Sequence, residues 1–499
     1  MADTTFGLTI VTLLFFLIVL KCYRARALPK NLPPSPPAIP IIGHLHLQKP
    51  PMFKTYHNLA QKYGPVFSLK YGSKLVVVVS SESTIQECFM KNDVAFADRP
   101  DLLAGKYLGY NNSSIDRAPY GEHWRNLRRI ATTQFFCNNC LNMLVNVRKD
   151  EVMRLVTKLS SQSLQDFAKV ELKSLFQNLT LNVLMRMITG KRYYGDDVTN
   201  VEEATEFKEL LKEISFYYDA STPADFFPIW NWIDVSRYEK KLIQSAERID
   251  AFLQGLVDEC RNNLRPDSTK TALNNFLSVQ KSQPEYFTDK LIKGNILILI
   301  AAGTDTTSAT LEWSMACLLN HPNTLTKVRE EIHQQIGQEV LLEEPDIPKL
   351  RYLQNVISEA LRMYPASPII DPHMSSQDCV VGGYHIPRGT MLLANAWSLH
   401  RDPTLWEDPD TFKAERFETE GVASKFMPFG MGRRSCPGIN LANRVLGLTL
   451  GSLIQCFDWK RVSEEELDMT EGSGIVMPKA VPLEAMCKAR PLLKKINHS

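Results

Sequence analysis

The chain opens on an unbroken apolar block. Phe6 to Leu20 read FGLTIVTLLFFLIVL without a charge. With Thr4 and Thr5 the block reaches about 17 residues, the lower limit for a membrane-spanning helix. Asp3 lies before it, and Lys21, Arg24 and Arg26 lie after it. Positive charge on that side leaves the N-terminus outside the cytosol and the rest of the chain inside. A cleaved signal peptide carries its positive charge before the apolar run, so Ala25-Arg26-Ala27 is a mimic of a cleavage site. Residues 1–27 are therefore expected to form a single-pass anchor. Prolines crowd the next stretch, Leu28 to Pro37, which forbids a helix. Residues 28–40 are expected to form an extended proline-rich hinge that separates the anchor from the body.

Further on, the pattern mixes one small β region with much helix. Val66–Tyr71 and Lys74–Val79 are rich in β-formers and flank Gly72-Ser73, which predicts a hairpin. Helical periodicity predicts helices over 81–92, 119–131, 144–163, 168–188, 202–216, 236–264, 288–319, 323–337 and 349–363. The fold class is mainly α with a small β-rich lobe (α+β). No second linker follows position 40, so 41–499 is expected to be one catalytic domain.

The helix over 288–319 carries the first chemical signal. Ile296 to Ala302 is apolar, and Gly303-Thr304-Asp305-Thr306-Thr307-Ser308 follows. Six poor helix formers in succession cost roughly 3–4 kcal/mol relative to alanine. Threonine hydroxyls there can bond to carbonyls a turn earlier and bend the helix. An acid and hydroxyls in the middle of a buried helix imply a site on it.

Composition excludes several classes. Hydrophobic residues make up 44% and charged residues 22% of 499, which is globular. Lys+Arg 57 against Asp+Glu 55 leaves +2, so no global field recruits nucleic acid. The 10 cysteines are scattered, which suits reduced thiols. Cys137-Asn138-Asn139-Cys140 has no second pair nearby and reads as structural or incidental.

The second signal is Phe429-Gly430-Met431-Gly432-Arg433-Arg434-Ser435-Cys436-Pro437-Gly438. Glycines on both sides of one cysteine let backbone approach it closely. Amide N–H groups and Arg434 nearby favour the thiolate. Zinc needs about four ligands, and no Cys or His partner lies close in sequence, so a single soft metal bond fits better. Gly430 to Ser435 only approximates a dinucleotide fingerprint and lacks its strand–turn–helix setting.

Here the chain resembles a known family. Phe429, Gly432, Arg434, Cys436 and Gly438 match the cysteine loop of the cytochrome P450 superfamily of haem-thiolate monooxygenases. Ala302 to Thr307 is similar to its oxygen-activating helix motif, Glu359-Ala360-Leu361-Arg362 to its Glu-x-x-Arg motif, and Trp124 with Arg128 to its early-helix Trp-x-x-x-Arg. The stretches Ala118 to Arg129 and Cys379 to Tyr384 resemble plant endoplasmic-reticulum members, in particular the isoflavone 2′-hydroxylase-like group.

The resemblance implies haem b (iron protoporphyrin IX) with Cys436 as its proximal ligand, since one thiolate favours O–O cleavage. Trp124, Arg128, His373 and Arg434 would hold its propionates, with Phe429 beside the cofactor. Glu359, Arg362 and Arg416 would form a structural triad, although Ala414 stands where the family places proline. Asp305 and Thr306 would handle protons for O2 activation. No flavin or nicotinamide motif is visible, so electrons would come from NADPH–cytochrome P450 reductase on the same endoplasmic reticulum membrane. Lys425, Arg433 and Arg444 would meet that partner. By analogy Leu102, Ile115, Phe216, Leu297, Ala301, Ala302, Ile369, Ile370 and Val476 would line the pocket for a small hydrophobic substrate, an isoflavonoid, phenylpropanoid or terpenoid. Asp371 is unusual beside that lining, and an alkaloid nitrogen paired with it is the alternative. A haem-thiolate isomerase or dehydratase is the other alternative, which Thr306 argues against.

Overall fold

The computed structural model describes residue 12 and residues 31–195, 198, 200–219, 223–227, 237–263, 271–419, 421–422 and 424–496. The expected anchor lies outside these, apart from Thr12. Among the described residues no helix is long and apolar enough to cross a membrane.

A helix over Asp289–Asn320 runs through the middle of the body. It is apolar on nearly all sides, and a helix of that kind is stable only when packed all round. Helices Leu172–Thr189, Tyr238–Asn262, Pro322–Ile336, Arg351–Met363 and Ile439–Cys456 lie against it. Trp313 stacks on Tyr364 with centroids 4.0 Å apart and rings 3° from parallel. The hydroxyls do not break the helix. Thr304, Thr306 and Thr310 each donate to the carbonyl four residues earlier. Gly303 is there for packing: a Cβ would lie 2.7 Å from Leu184 Cδ1 on the neighbouring helix.

The hairpin forms as expected, Val66–Tyr71 antiparallel to Lys74–Val79. Lys74–Val79 pairs in parallel with Met391–Ala394, which pairs with His373–Met374. This four-stranded sheet carries Asp371 and His373 towards the cysteine loop. The proline segment does not stand off as a spacer along its whole length. Ser68 donates from its amide to Pro34 O (2.8 Å) and from its hydroxyl to Pro33 O (2.9 Å), so the segment covers the sheet edge.

Two expectations need correction. The helix expected from 168 starts at Leu172, because Ala168–Glu171 is a strand paired with Glu484–Ala489. Cys137 and Cys140 are joined as a disulfide, so not every thiol is free; Cys137 caps the short helix Asn138–Met143, which places both sulfurs on one side.

Candidate active site

The cysteine loop owes its shape to glycine. Gly430 and Gly432 have φ of +71° and +72°, and a Cβ on Gly432 would lie 2.6 Å from Phe89 O. The Cys436 amide donates to Phe429 O (2.9 Å), closing the loop, and the Ile439–Cys456 helix starts at once behind it. A Cβ on Gly438 would lie only 3.7 Å from the Cys436 sulfur. Burial pushes the Cys436 thiol up, while the Gly438 amide and Arg128 pull it down. The cation acting on the sulfur is thus Arg128, not Arg434 as expected from the sequence. The loop by itself does not make a thiolate, because burial outweighs both groups.

The cations are arranged in layers around this loop. Arg128 donates to Ser435 O (2.7 Å). Arg434 stacks over Trp124 at 4.5 Å and donates to Ala97 O, Ile115 O and Ala118 O. Burial, then Arg99, brings its pKa down to about 9. Trp124 itself donates to Ile115 O (3.0 Å). His373 is buried with Nδ1 2.6 Å from Phe96 O, so the neutral ring carries its proton there. Burial and Arg99 push its pKa down to about 3. It would donate to a propionate only through a second proton at Nε2.

Glu359, Arg362 and Arg416 come together. Arg362 Nε meets Glu359 Oε2 at 2.7 Å with both side chains fully enclosed, and Arg416 Nε meets Glu359 Oε1 at 3.2 Å. Arg362 also donates to His400 O and Pro409 O, tying its helix to the segment that leads into the cysteine loop.

Asp305 accepts a hydrogen bond from Ser215 (3.3 Å), and burial raises its carboxyl pKa against Ser215 and Lys173. Thr306 donates to Ala302 O at 2.6 Å. Ala302 is exposed although its helix is interior, and Cys436 is exposed as well. Protein atoms leave space beside both.

Of the expected pocket residues, Ile115, Leu297, Ala301 and Ile369 pack with the main core, and Ile370 packs with the sheet-side core. Leu102 lies against the hairpin cluster, and Val476 is half-buried. Leu297 also borders a cleft with Tyr107, Tyr110 and Asp250. Phe216 is 59% exposed, so it does not face inward. Ser215 and Tyr218, three apart on the same helix face, point the other way, and Ser215 reaches the central helix.

Asp371 differs most from expectation. Arg99 Nη2 is 3.1 Å from one of its oxygens and Arg117 Nη1 is 3.7 Å from the other. Burial works against ionisation, yet the two arginines hold its pKa below the usual carboxylate range. Asp371 therefore has partners of its own and is no free site for an amine. Sequence reasoning missed Arg99, Asp116 and Arg117; the adjacent opposite charges Asp116-Arg117 just before Trp124 were the available signal. Of the cations expected to meet a reductase, Arg433 is exposed and paired with Asp93. Lys425 donates to Leu405 O, and Arg444 turns inward to Glu344.

A glycine-framed thiol, space beside it and a ring of enclosed arginines fit an iron porphyrin with two carboxylates. Residues 33–483 match the cytochrome P450 family, and the chain belongs to that family. It is a haem b-dependent monooxygenase, an oxidoreductase. It is 51% identical to cytochrome P450 81Q32 of Catharanthus roseus over 99% of both chains. It is 47% identical to isoflavone 2′-hydroxylase of Glycyrrhiza echinata over 97% of both. A solved zebra fish cytochrome P450 with progesterone shares the fold at a TM-score of 0.75 and 26% identity, over 89% of this chain and 100% of that one.

Proposed function

We propose that this protein is an endoplasmic-reticulum monooxygenase, held by residues 1–27 with its catalytic domain, 41–499, in the cytosol. It takes electrons from NADPH–cytochrome P450 reductase and hydroxylates a hydrophobic plant metabolite of the isoflavonoid or phenylpropanoid type, with a terpenoid as the next class. The near end-to-end likeness to isoflavone 2′-hydroxylase carries this reading.

Cys436 would ligate the haem iron, and Arg128 and Arg434 would neutralise its propionates. When bound, the haem supplies reduction of O2 and transfer of oxygen to the substrate. Thr306 holds a hydroxyl on the central helix beside exposed Ala302, where it offers a proton position. Asp305, whose carboxyl pKa burial raises, places an acid on the same turn. Glu359, Arg362 and Arg416 fix the loop and do not touch substrate. The alkaloid alternative loses its main support, because both Asp371 oxygens face arginines.

The test is product formation from daidzein by microsomes containing this protein and the reductase. NADPH- and reductase-dependent hydroxylation supports the proposal. Turnover that ignores both, or is driven by a peroxide alone, removes it.

A further inference from the structure

We propose that Arg117 and Tyr218 form a polar clamp that binds a neutral acceptor oxygen, foremost a ring carbonyl, on an otherwise apolar substrate. This deepens the proposed function and rests on its reading of the substrate class.

Arg117 is buried, 6% exposed as a residue and 7% as a side chain, yet its Nε is enclosed without a hydrogen-bond acceptor among the described residues. Its contacts are charge pairs and a ring: Nε lies 3.1 Å from Asp116 Oδ2 outside hydrogen-bond geometry, Nη1 lies 3.7 Å from Asp371, and the group sits 5.3 Å from the centre of the Tyr218 ring. Asp116 occupies the Nε side, and the Nη groups, which donate to no protein acceptor among the described residues and are not fully enclosed, remain able to donate to a ligand. Burial also raises the Tyr218 pKa, which keeps its hydroxyl protonated and able to donate. That hydroxyl has no partner among the described residues. Two adjacent donor groups therefore lack an acceptor.

Their surroundings place them at the proposed pocket. Arg434 and Trp124 bind the Ile115 carbonyl, and Asn295 of the central helix accepts from the Ile115 amide, which fixes the loop carrying Arg117. Ile370, next to Asp371, lies against Gly430 of the cysteine loop. Tyr218 closes the cluster from the helix that reaches Asp305.

Charge decides the kind of ligand. Arg99, Arg117 and Arg434 balance Asp98, Asp116 and Asp371. A carboxylate would add an unbalanced negative charge, and an amine would have to displace an arginine from Asp371. A neutral oxygen satisfies the donors without disturbing that balance. A site built to donate to a substrate oxygen discriminates strongly against an analogue that lacks it.

The test is titration of the haem-loaded full chain with daidzein, which has a ring carbonyl, and equol, which lacks it, following the haem absorption shift. The parent protein is expected to bind daidzein at least about tenfold more tightly. Arg117→Leu should abolish that preference with haem content unchanged, and Tyr218→Phe, the milder change, should reduce it about threefold. Equal binding of the two probes, binding of neither, or a preference that survives in both variants overturns the clamp. Loss of haem from Arg117→Leu with the full preference kept in Tyr218→Phe also overturns it, by making Arg117 a haem-site residue. Hydroxylation of daidzein without a carbonyl preference would sink the clamp alone, whereas absence of reductase-dependent product would sink the substrate reading on which it rests.

Discussion

His400 links the acid limit of the fold to the cysteine loop. It is fully buried, and its Nε2 accepts the Met427 amide (3.1 Å) two residues before Phe429. Burial, with Arg362 and Arg401, pushes its pKa from 6.5 down to about 3. The folded value is the depressed one, so the unfolded chain takes the proton first. Stability from the neutral ring is present above the unfolded pKa and is lost as pH falls from about 6.5 towards 3, by up to ~1.4 kcal/mol per pH unit. His373 has the same sign. Urea unfolding is expected to show lower stability at pH 5 than at pH 7, and His400→Gln is expected to flatten that slope; an unchanged slope contradicts the assignment. The proton role proposed for Thr306 rests on its hydroxyl and not on its shape. Thr306→Val should keep its haem but form about tenfold less product per NADPH consumed. Equal coupling in the two proteins would remove Thr306 from proton handling.

Among elements, the cysteine loop and its brace are the most sensitive. Removing one partner of the enclosed Glu359–Arg362 pair by Glu359→Ala should cost roughly 3–5 kcal/mol and lower haem content. Two glycines separate backbone strain from side-chain crowding. Gly432→Ala combines a φ of +72° with a backbone oxygen 2.6 Å from the new Cβ, so haem loading should fail. Gly303→Ala meets only the movable end of Leu184 and should cost roughly 1–3 kcal/mol with haem retained. Haem content and thermal unfolding of both variants check this contrast. Periodicity made the hairpin and the central helix legible, the glycine-framed loop singled out Cys436, and the family resemblance pointed to Trp124, Arg128 and Glu359. Periodicity did not predict the Ile439–Cys456 helix, which carries Gly447 and Gly451. Both are contact points, where a Cβ would meet Ile347 at 2.8 Å and Leu342 at 2.3 Å. It also hid the partners of Asp371, since Arg99 and Arg117 lie more than 250 positions away in the chain and only the folded sheet brings them near.

For the whole molecule, the chain is near neutral, so the proposed membrane attachment rests on the one apolar N-terminal block. A chain starting at residue 28 should fold and load haem, and should leave the membrane fraction at high salt. Retention on membranes would assign a second contact to the body. The central claim is that Cys436 holds haem iron in a reductase-driven monooxygenase. Its most direct measurement is the carbon monoxide difference spectrum of the reduced protein, taken for the parent chain and Cys436→Ser. The parent is expected to show the red-shifted Soret band of a thiolate-ligated iron, and the variant to lose it. The same band persisting without the sulfur would contradict that claim.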